Sequence, residues 1–414
     1  EYVWSSEIQK LENDLEENRK AAQINYYDKE ENFEDIGFSS TNDDKEISKL
    51  PVKWFSFKQK YFTEGVVMSN AYFNNADFTL LTPVDESIVK KGLVKASIAS
   101  EDLFSGKTSL KYYFGPNELT ELREVADGFQ QNLYLGYDIV KPINRYVFVP
   151  LFNWVESFIS NYGLLIVIVV LIIKFALTPL IYKSYVSSAK MRLLAPEINE
   201  IKERVGDDAV KVQQETMKLY QQVGVSPLSG CVPLLLQMPI LMSVFFLFPN
   251  MSMFRQKSFW WSNDLSTFDA PISWATTIPI VGNHISLFVV LMTISSLAFT
   301  YYNNQITPDQ PGPIDMKKIS YVFPLVFFFV LNSFPAALSF YYLVSNLVTI
   351  GQQLLVRKFI DEDKIRSILE TNRINYHTKP QKKSKFGEFI QKQLQASEEM
   401  KRQSDEIKKT RKKK

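Results

Sequence analysis

The sequence predicts a polytopic α-helical membrane protein with a cytoplasmic helical hairpin and a β-rich extramembrane domain. Three observations predict it. Five apolar segments follow residue 160, about 161–182, 228–248, 284–302, 319–334 and 336–356. A polar insert with heptad spacing separates the first two. Short β-branched and aromatic runs, broken by Asn, Asp, Gly and Pro, fill residues 52–114. The chain has 414 residues and a net charge of +2, which says little about partners because an acidic first third balances a basic end. One cysteine, Cys231, excludes an intrachain disulfide. With two histidines, His284 and His377, the composition argues against a histidine-based metal or catalytic site. We expect no enzyme and no cofactor.

Residues 1–142 read as a β-rich domain. Val52–Tyr61, Phe78–Thr82, Gly92–Ser100 and Thr108–Phe114 have strand character, and Asn117–Ala126 reads as a helix after Gly115-Pro116. A helix from Glu12 is the one element suggested in residues 1–49. Residues 143–159 place Val147, Leu151, Val155 and Phe158 on one helical face, flanked by Phe148 and Trp154. Such a helix lies in the headgroup interface or packs against the β domain.

The first apolar segment, Asn161–Tyr182, extends about 33 Å as a helix, enough for a hydrocarbon core of about 30 Å. Lys174 falls within about 3 Å of its centre. An ammonium there costs about 2.5 to about 17 kcal/mol, depending on how far water reaches it. Next comes Lys183–Ser226. Met191, Leu194, Ile198, Ile201 and Val205 have heptad spacing, Gly206-Asp207-Asp208 ends that helix, and Val210, Met217 and Tyr220 form a looser seam on the return. The product is an antiparallel hairpin with seven basic and six acidic residues.

The hairpin, Lys317, Lys318 and the tail 357–414 carry most of the basic residues near the membrane. The loop Pro249–Asn283 carries only Arg255 and Lys257. The positive-inside rule therefore puts hairpin and C-terminus in the cytoplasm and residues 1–142 in the periplasm of a bacterium. The tail holds 18 Lys and Arg against nine Asp and Glu. It reads as a solvated arm attracted to anionic lipid or as a ribosome-docking element.

The five segments contain no Asp or Glu, and Lys174 is their only Lys or Arg. Thr178 lies one turn away. Tyr342, Asn346, Thr349 and Gln353 form a polar stripe at i, i+4, i+7 and i+11, Thr293, Ser296 and Thr300 a weaker one, and Gln237 lies between Pro233 and Pro239. If these faces converge, they enclose a wet polar groove with one positive charge. The same residues can instead be interhelical glue, Lys174 can snorkel, and Gln237 can satisfy carbonyls freed by the prolines.

Three segments carry a resemblance: Ala189–Pro196, the stretch Gly224–Gly230 running into Cys231–Ile240, and Phe340–Ile350. By them the chain resembles the YidC family of membrane protein insertases, strongly over about 145–357 and less so over 50–140. The resemblance implies a five-helix insertase core with a hydrophilic groove open to cytoplasm and lipid, and a partial periplasmic β-sandwich. It also implies a start lacking the family's N-terminal anchor and first strands. The family's groove arginine is replaced by Lys174, which keeps the charge and loses the bidentate fork. Tyr341 and Tyr342 match the family's paired tyrosines. The greasy slide maps onto Met238 and Leu241, with contributions around Phe327 and Val330. The expected function is insertion and folding of nascent membrane proteins in the inner membrane, alone or with the Sec translocase. A solute transporter or channel, and a non-catalytic assembly partner of a translocase, are the other readings.

Overall fold

Alternation of large apolar and polar side chains builds the first domain. In the computed structural model, which describes residues 1–104, 106–206, 208–225, 232–279, 281–306 and 316–378, nine antiparallel strands form two facing sheets. They are β1 (Tyr2–Gln9), β2 (Gln23–Asp28), β3 (Phe33–Ile36), β4 (Asp44–Ile47), β5 (Val52–Lys58), β6 (Phe62–Ser69), β7 (Asn74–Leu81), β8 (Ile88–Ser97) and β9 (Ser109–Pro116). One sheet has the order β1-β8-β7-β4 and the other β3-β2-β5-β6-β9. Phe55, Phe57, Phe73, Phe78 and Val94 fill the space between them, with Tyr26 stacked on Phe78 at 4.7 Å. Gly92 is required there: a Cβ would fall 2.2 Å from the Phe57 ring. The strand runs expected within 52–114 are present. β1 to β4 and β6 were not expected.

Short helices complete the domain: α1 (Leu15–Ala21), capped by Asp14 accepting from the Glu17 amide, α2 (Ser100–Phe104) and α3 (Leu119–Val125). β5 is buried on both faces because its outer face is covered too. Trp54 packs edge-on against Phe129 at 4.8 Å, and the Ser56 hydroxyl donates to Asn132.

The chain then enters α4 (Lys141–Ile143), a π turn at Asn144–Phe148 and α5 (Val149–Glu156). The buried face is Phe148, Phe152 and Val155, while Val147 and Phe158 are exposed. This corrects the expected face. The wide π turn adds a residue before α5, so the 3.6-residue phase counted from Val147 no longer holds.

α5 packs with α6 (Tyr162–Leu193), α9 (Val232–Leu247), α10 (Leu287–Ile306) and α13 (Ala336–Phe359) around Leu165, Val169, Phe248, Phe288 and Tyr341. The core is continuous with Trp54 and Phe129 of the sandwich. Three polar contacts reinforce that junction: Arg255 to Glu12 at 2.7 Å, the Tyr61 hydroxyl to the Ser266 carbonyl at 3.1 Å, and Ser252 to Glu118 at 3.1 Å.

Among the described residues, one helix, Tyr162–Leu193, is long and apolar enough to cross a membrane by length and composition. Several expected span limits change. α6 runs on to Leu193. His284 lies in the hairpin of β10 (Ile272–Ile278) and β11 (Gly282–Ile285), its ring stacked on Phe268 at 3.8 Å. α10 starts later because Asp269 caps it, accepting from the Leu287 and Phe288 amides at 2.9 and 3.1 Å. The fourth segment breaks into α11 (Met316–Ser320) and α12 (Val322–Leu331). At ten residues α12 is about 15 Å long.

The chain divides into two compact units. The first holds the sandwich and the helices just described. The second contains α7 (Ala195–Val205), α8 (Ala209–Val223) and α14 (Glu362–Thr378). Gly206 ends α7 and Asp208 caps α8, as expected; Asp207 is outside the described residues. Met191, Leu194, Ile198 and Ile201 are buried. On α8 the buried residues are Val212, Thr216, Leu219, Tyr220 and Val223, whereas Met217 is partly exposed and the Val210 side chain is outside the described set. The seam on α8 is thus set by Val212, Leu219 and Val223.

α14 corrects the picture of residues 357–414 as a tail throughout. Arg373 grips both carboxylate oxygens of Glu197 at 2.7 and 2.8 Å, Glu362 pairs with Arg192, and Asn372 donates to the Val223 carbonyl at 3.0 Å. Ile365 and Leu369 are buried one turn apart. Residues 379–414, with the lysine-rich end, and the 226–231 part of the quoted motif lie outside the described residues.

Candidate functional site: a buried lysine among polar helix faces

Lys174 sits midway along α6 and is only 6% exposed. No ion pair reaches it among the described residues. Its turn is nevertheless held by polar groups. Pro179 removes one backbone donor from the next turn. Just before it, the Thr178 hydroxyl donates to the Lys174 carbonyl at 2.9 Å. From α13, the Gln352 amide donates to the same carbonyl and to the Thr178 hydroxyl, both at 3.1 Å.

The polar stripe on α13 does not act as one line beside Lys174. The Tyr342 hydroxyl donates across to the Leu241 carbonyl of α9 at 3.0 Å. Asn346 donates to Ser296 at 2.8 Å and Ser295 at 3.1 Å on α10. Thr349 bonds back to the Ser345 carbonyl at 2.6 Å, and Gln353, buried, reaches the Tyr185 hydroxyl of α6. Three neighbouring helices are therefore tied to α13. Thr293 bonds to its own helix, at the Val289 carbonyl. Tyr341 lies in the apolar core against Phe248, 5.5 Å between ring centres. Gln237 is half-buried on α9 and joins none of these bonds.

Gln352 and Ser295 are the residues that sequence reasoning missed. Ser345, Thr349 and Gln352 form a second polar line at i, i+4 and i+7, from which Gln352 could have been found. Ser295 adjoins Ser296, so only the structure distinguishes them.

The chemistry around Lys174 is unbalanced. An ammonium offers three donors, and none is taken up by a described side chain. The Gln352 and Gln353 amide oxygens are buried without a protein partner. Buried acceptors left without a partner in this way require water or a polar guest.

The expected slide residues are exposed apolar surface: Met238 (43%), Phe327 (39%) and Val330 (47%), with Leu241 half-buried. α12 also exposes Val322, Phe323, Leu325, Val326 and Phe329. A helix apolar on nearly every side is suited to lipid or to an apolar partner.

The profile of the 60Kd inner membrane protein family matches residues 154–363, and that of the YidC periplasmic domain matches residues 9–149. The chain belongs to the YidC family. The two YidC regions meet within α5, the helix that joins sandwich to helical core. A membrane protein insertase YidC from Amoebophilus asiaticus is 42% identical over 374 residues, covering 90% of this chain and 62% of the relative. That of Cytophaga hutchinsonii is 41% identical, covering 89% and 61%. That of Parabacteroides distasonis is 36% identical, covering 99% and 66%. The chain thus spans about three-fifths of the length of the first two relatives. An active YidC insertase crystal structure with its first transmembrane domain resolved aligns over 85% of this chain and 79% of that one. The identity is 18% and the TM-score 0.38.

Proposed function

We propose that this chain inserts membrane proteins by receiving a short hydrophilic stretch of a client beside Lys174, while the client's apolar segment moves along α9 and α12 into lipid. The observation that carries this is Lys174, buried and without an ion pair among the described residues, on a turn whose carbonyl is held by Thr178 and Gln352, with two amide oxygens of α13 unpartnered. Relatives that bear the name membrane protein insertase support it. No residue forms a bond with the client. A wet cation lowers the cost of bringing peptide groups and acidic side chains below the headgroups. Release of the apolar segment to lipid drives the step.

In this reading α6, α9, α10, α11 with α12, and α13 are five spans of a bacterial inner membrane. The sandwich is periplasmic, and the hairpin and C-terminus are cytoplasmic, on the asymmetry of basic residues. The π turn and α5, with Tyr146 68% and Trp154 58% exposed, lie at the interface. The partners are nascent membrane proteins, with the Sec translocase and, through the basic arm 379–414, the ribosome as further ones. Co-sedimentation with ribosomes that survives deletion of the arm would remove it from that role.

Lys174→Leu and Lys174→Glu test the central claim against a small one- or two-span client with an acidic terminus. Insertion falls in both, more in the glutamate variant, at unchanged expression. Full insertion by both rules out a required charge.

A further inference from the structure

Between the sandwich and the ends of α9 and α12 lies a cleft of about 400 Å³, the size of a small-molecule site. Lys58, at the end of β5, lines it although the residue is only 3% exposed. Among the described residues its one hydrogen bond goes to the Ala21 carbonyl at 3.2 Å, which leaves two N–H donors unused. Burial pulls its pKa down to about 8 against the partial support of Asp35, so it is still a cation at neutral pH. Lys60 lines the same cleft.

α1 lines the cleft as well, and its last carbonyl, that of Ala21, holds Lys58. There Lys20 pairs with Glu16 at 2.8 Å and Glu17 at 3.1 Å, so these two acids and Asp14 exceed the single base among them. The charged residues lining the cleft are therefore three bases and three acids. Its third side is Val330 and Phe334, where the exposed apolar face of α12 begins.

We propose that this cleft holds the headgroup of a zwitterionic phospholipid, with its phosphate on Lys58 and Lys60, its amine toward Glu16 and Glu17, and its acyl chains along α12. The proposal rests on the reading above that α12 lies in the bilayer. Charge complementarity selects the occupant. An anionic lipid adds a net negative charge to a lining whose charges already balance. A zwitterion adds none, offers a partner to either sign, and its chains continue onto surface already apolar. The lipid would wedge the sandwich against the helix ends and fix the slide's position.

The test uses the full chain, extracted from membranes containing phosphatidylethanolamine and phosphatidylglycerol, with retained lipid read by native mass spectrometry. The wild type retains phosphatidylethanolamine in preference. Lys58→Met and Lys60→Ser each lower retention about tenfold, the loss of one charge-assisted bond. Lys60→Ser, at the rim, guards against misfolding of the buried variant. Glu16→Gln with Glu17→Gln shifts the preference toward phosphatidylglycerol. Equal retention of the two lipids by the wild type overturns the proposal, as does retention unchanged in all variants. So does a photo-crosslinker at position 60 that captures nascent chain while no lipid is retained. Alkaline extraction of the wild type from membranes is scored separately. Its release there refutes the membrane reading, whereas firm attachment with unselective lipid refutes only the cleft.

Discussion

Gln352→Leu separates folding from function. Gln352 makes two bonds to the Lys174 turn, each 3.1 Å. Polar bonds between membrane helices average about 0.6 kcal/mol, so their loss costs about 1 kcal/mol. The same side chain buries an amide oxygen with no protein partner. Removing an unsatisfied buried oxygen returns about 1 to 3 kcal/mol, and leucine nearly conserves the volume. The net change in stability is therefore small, within about 1 to 2 kcal/mol and favourable if anything. Function should move the other way. The Lys174 turn loses its anchor on α13, and an unpartnered acceptor leaves its neighbourhood. Thermal unfolding in detergent and insertion of a client with an acidic terminus are measured on the same preparations. The expected result is an unchanged midpoint with insertion lowered several-fold, and Gln352→Glu recovering more insertion than Gln352→Leu. A large loss of stability, or full insertion by Gln352→Leu, refutes the reasoning.

Other consequences are open to measurement. Asp269→Ala removes the cap of α10 and the acceptor of Trp261 Nε1 at 2.8 Å. With the residue 3% exposed, the cost is about 3 to 5 kcal/mol, visible as lower yield and protease cleavage near residue 286, and Asp269→Asn costs less. Lys58 loses its proton at about 8 when folded and at 10.5 when unfolded. The unfolded chain thus holds more protons between these values, and stability rises with pH across that window, by about 3 kcal/mol. Lys58→Met should abolish this rise and stabilise the protein at pH 7; an unchanged pH profile in the variant contradicts the assignment. Arg373→Ala breaks a pair whose side chains are 43% and 39% exposed, so the loss is about 1 kcal/mol or less. Tryptic cleavage within α14 should nonetheless quicken, and a Glu197→Arg, Arg373→Glu swap should slow it again.

Some of this architecture was legible in the residues and some was not. Lys174 stood out because one charge in an apolar run has no structural use on lipid. The hairpin was readable from the heptad residues of its first helix and from Gly206 and Asp208. β1 was missed although Tyr2, Trp4 and Ser6 alternate with Val3, Ser5 and Glu7, because the acidic composition of residues 1–49 outweighed the period. α14 was missed for the same reason: Ile365 and Leu369 mark a buried face inside a segment dominated by charge. Two errors lay beyond local pattern. The start of α10 depends on Asp269, 18 residues from the amide it caps. The face of α5 depends on a π turn, which hydrophobic periodicity does not reveal. In the site, the stripe on α13 was correctly polar, but its members bond to three different helices, and only packing could assign Gln352 to Lys174.

The most direct test places a photo-crosslinking residue at position 342 and, separately, at position 174, during synthesis of a small membrane protein. The account predicts adducts with the nascent chain at both positions, centred on its hydrophilic terminus, and their decline once the client is inserted. Adducts with lipid alone at both positions would contradict it.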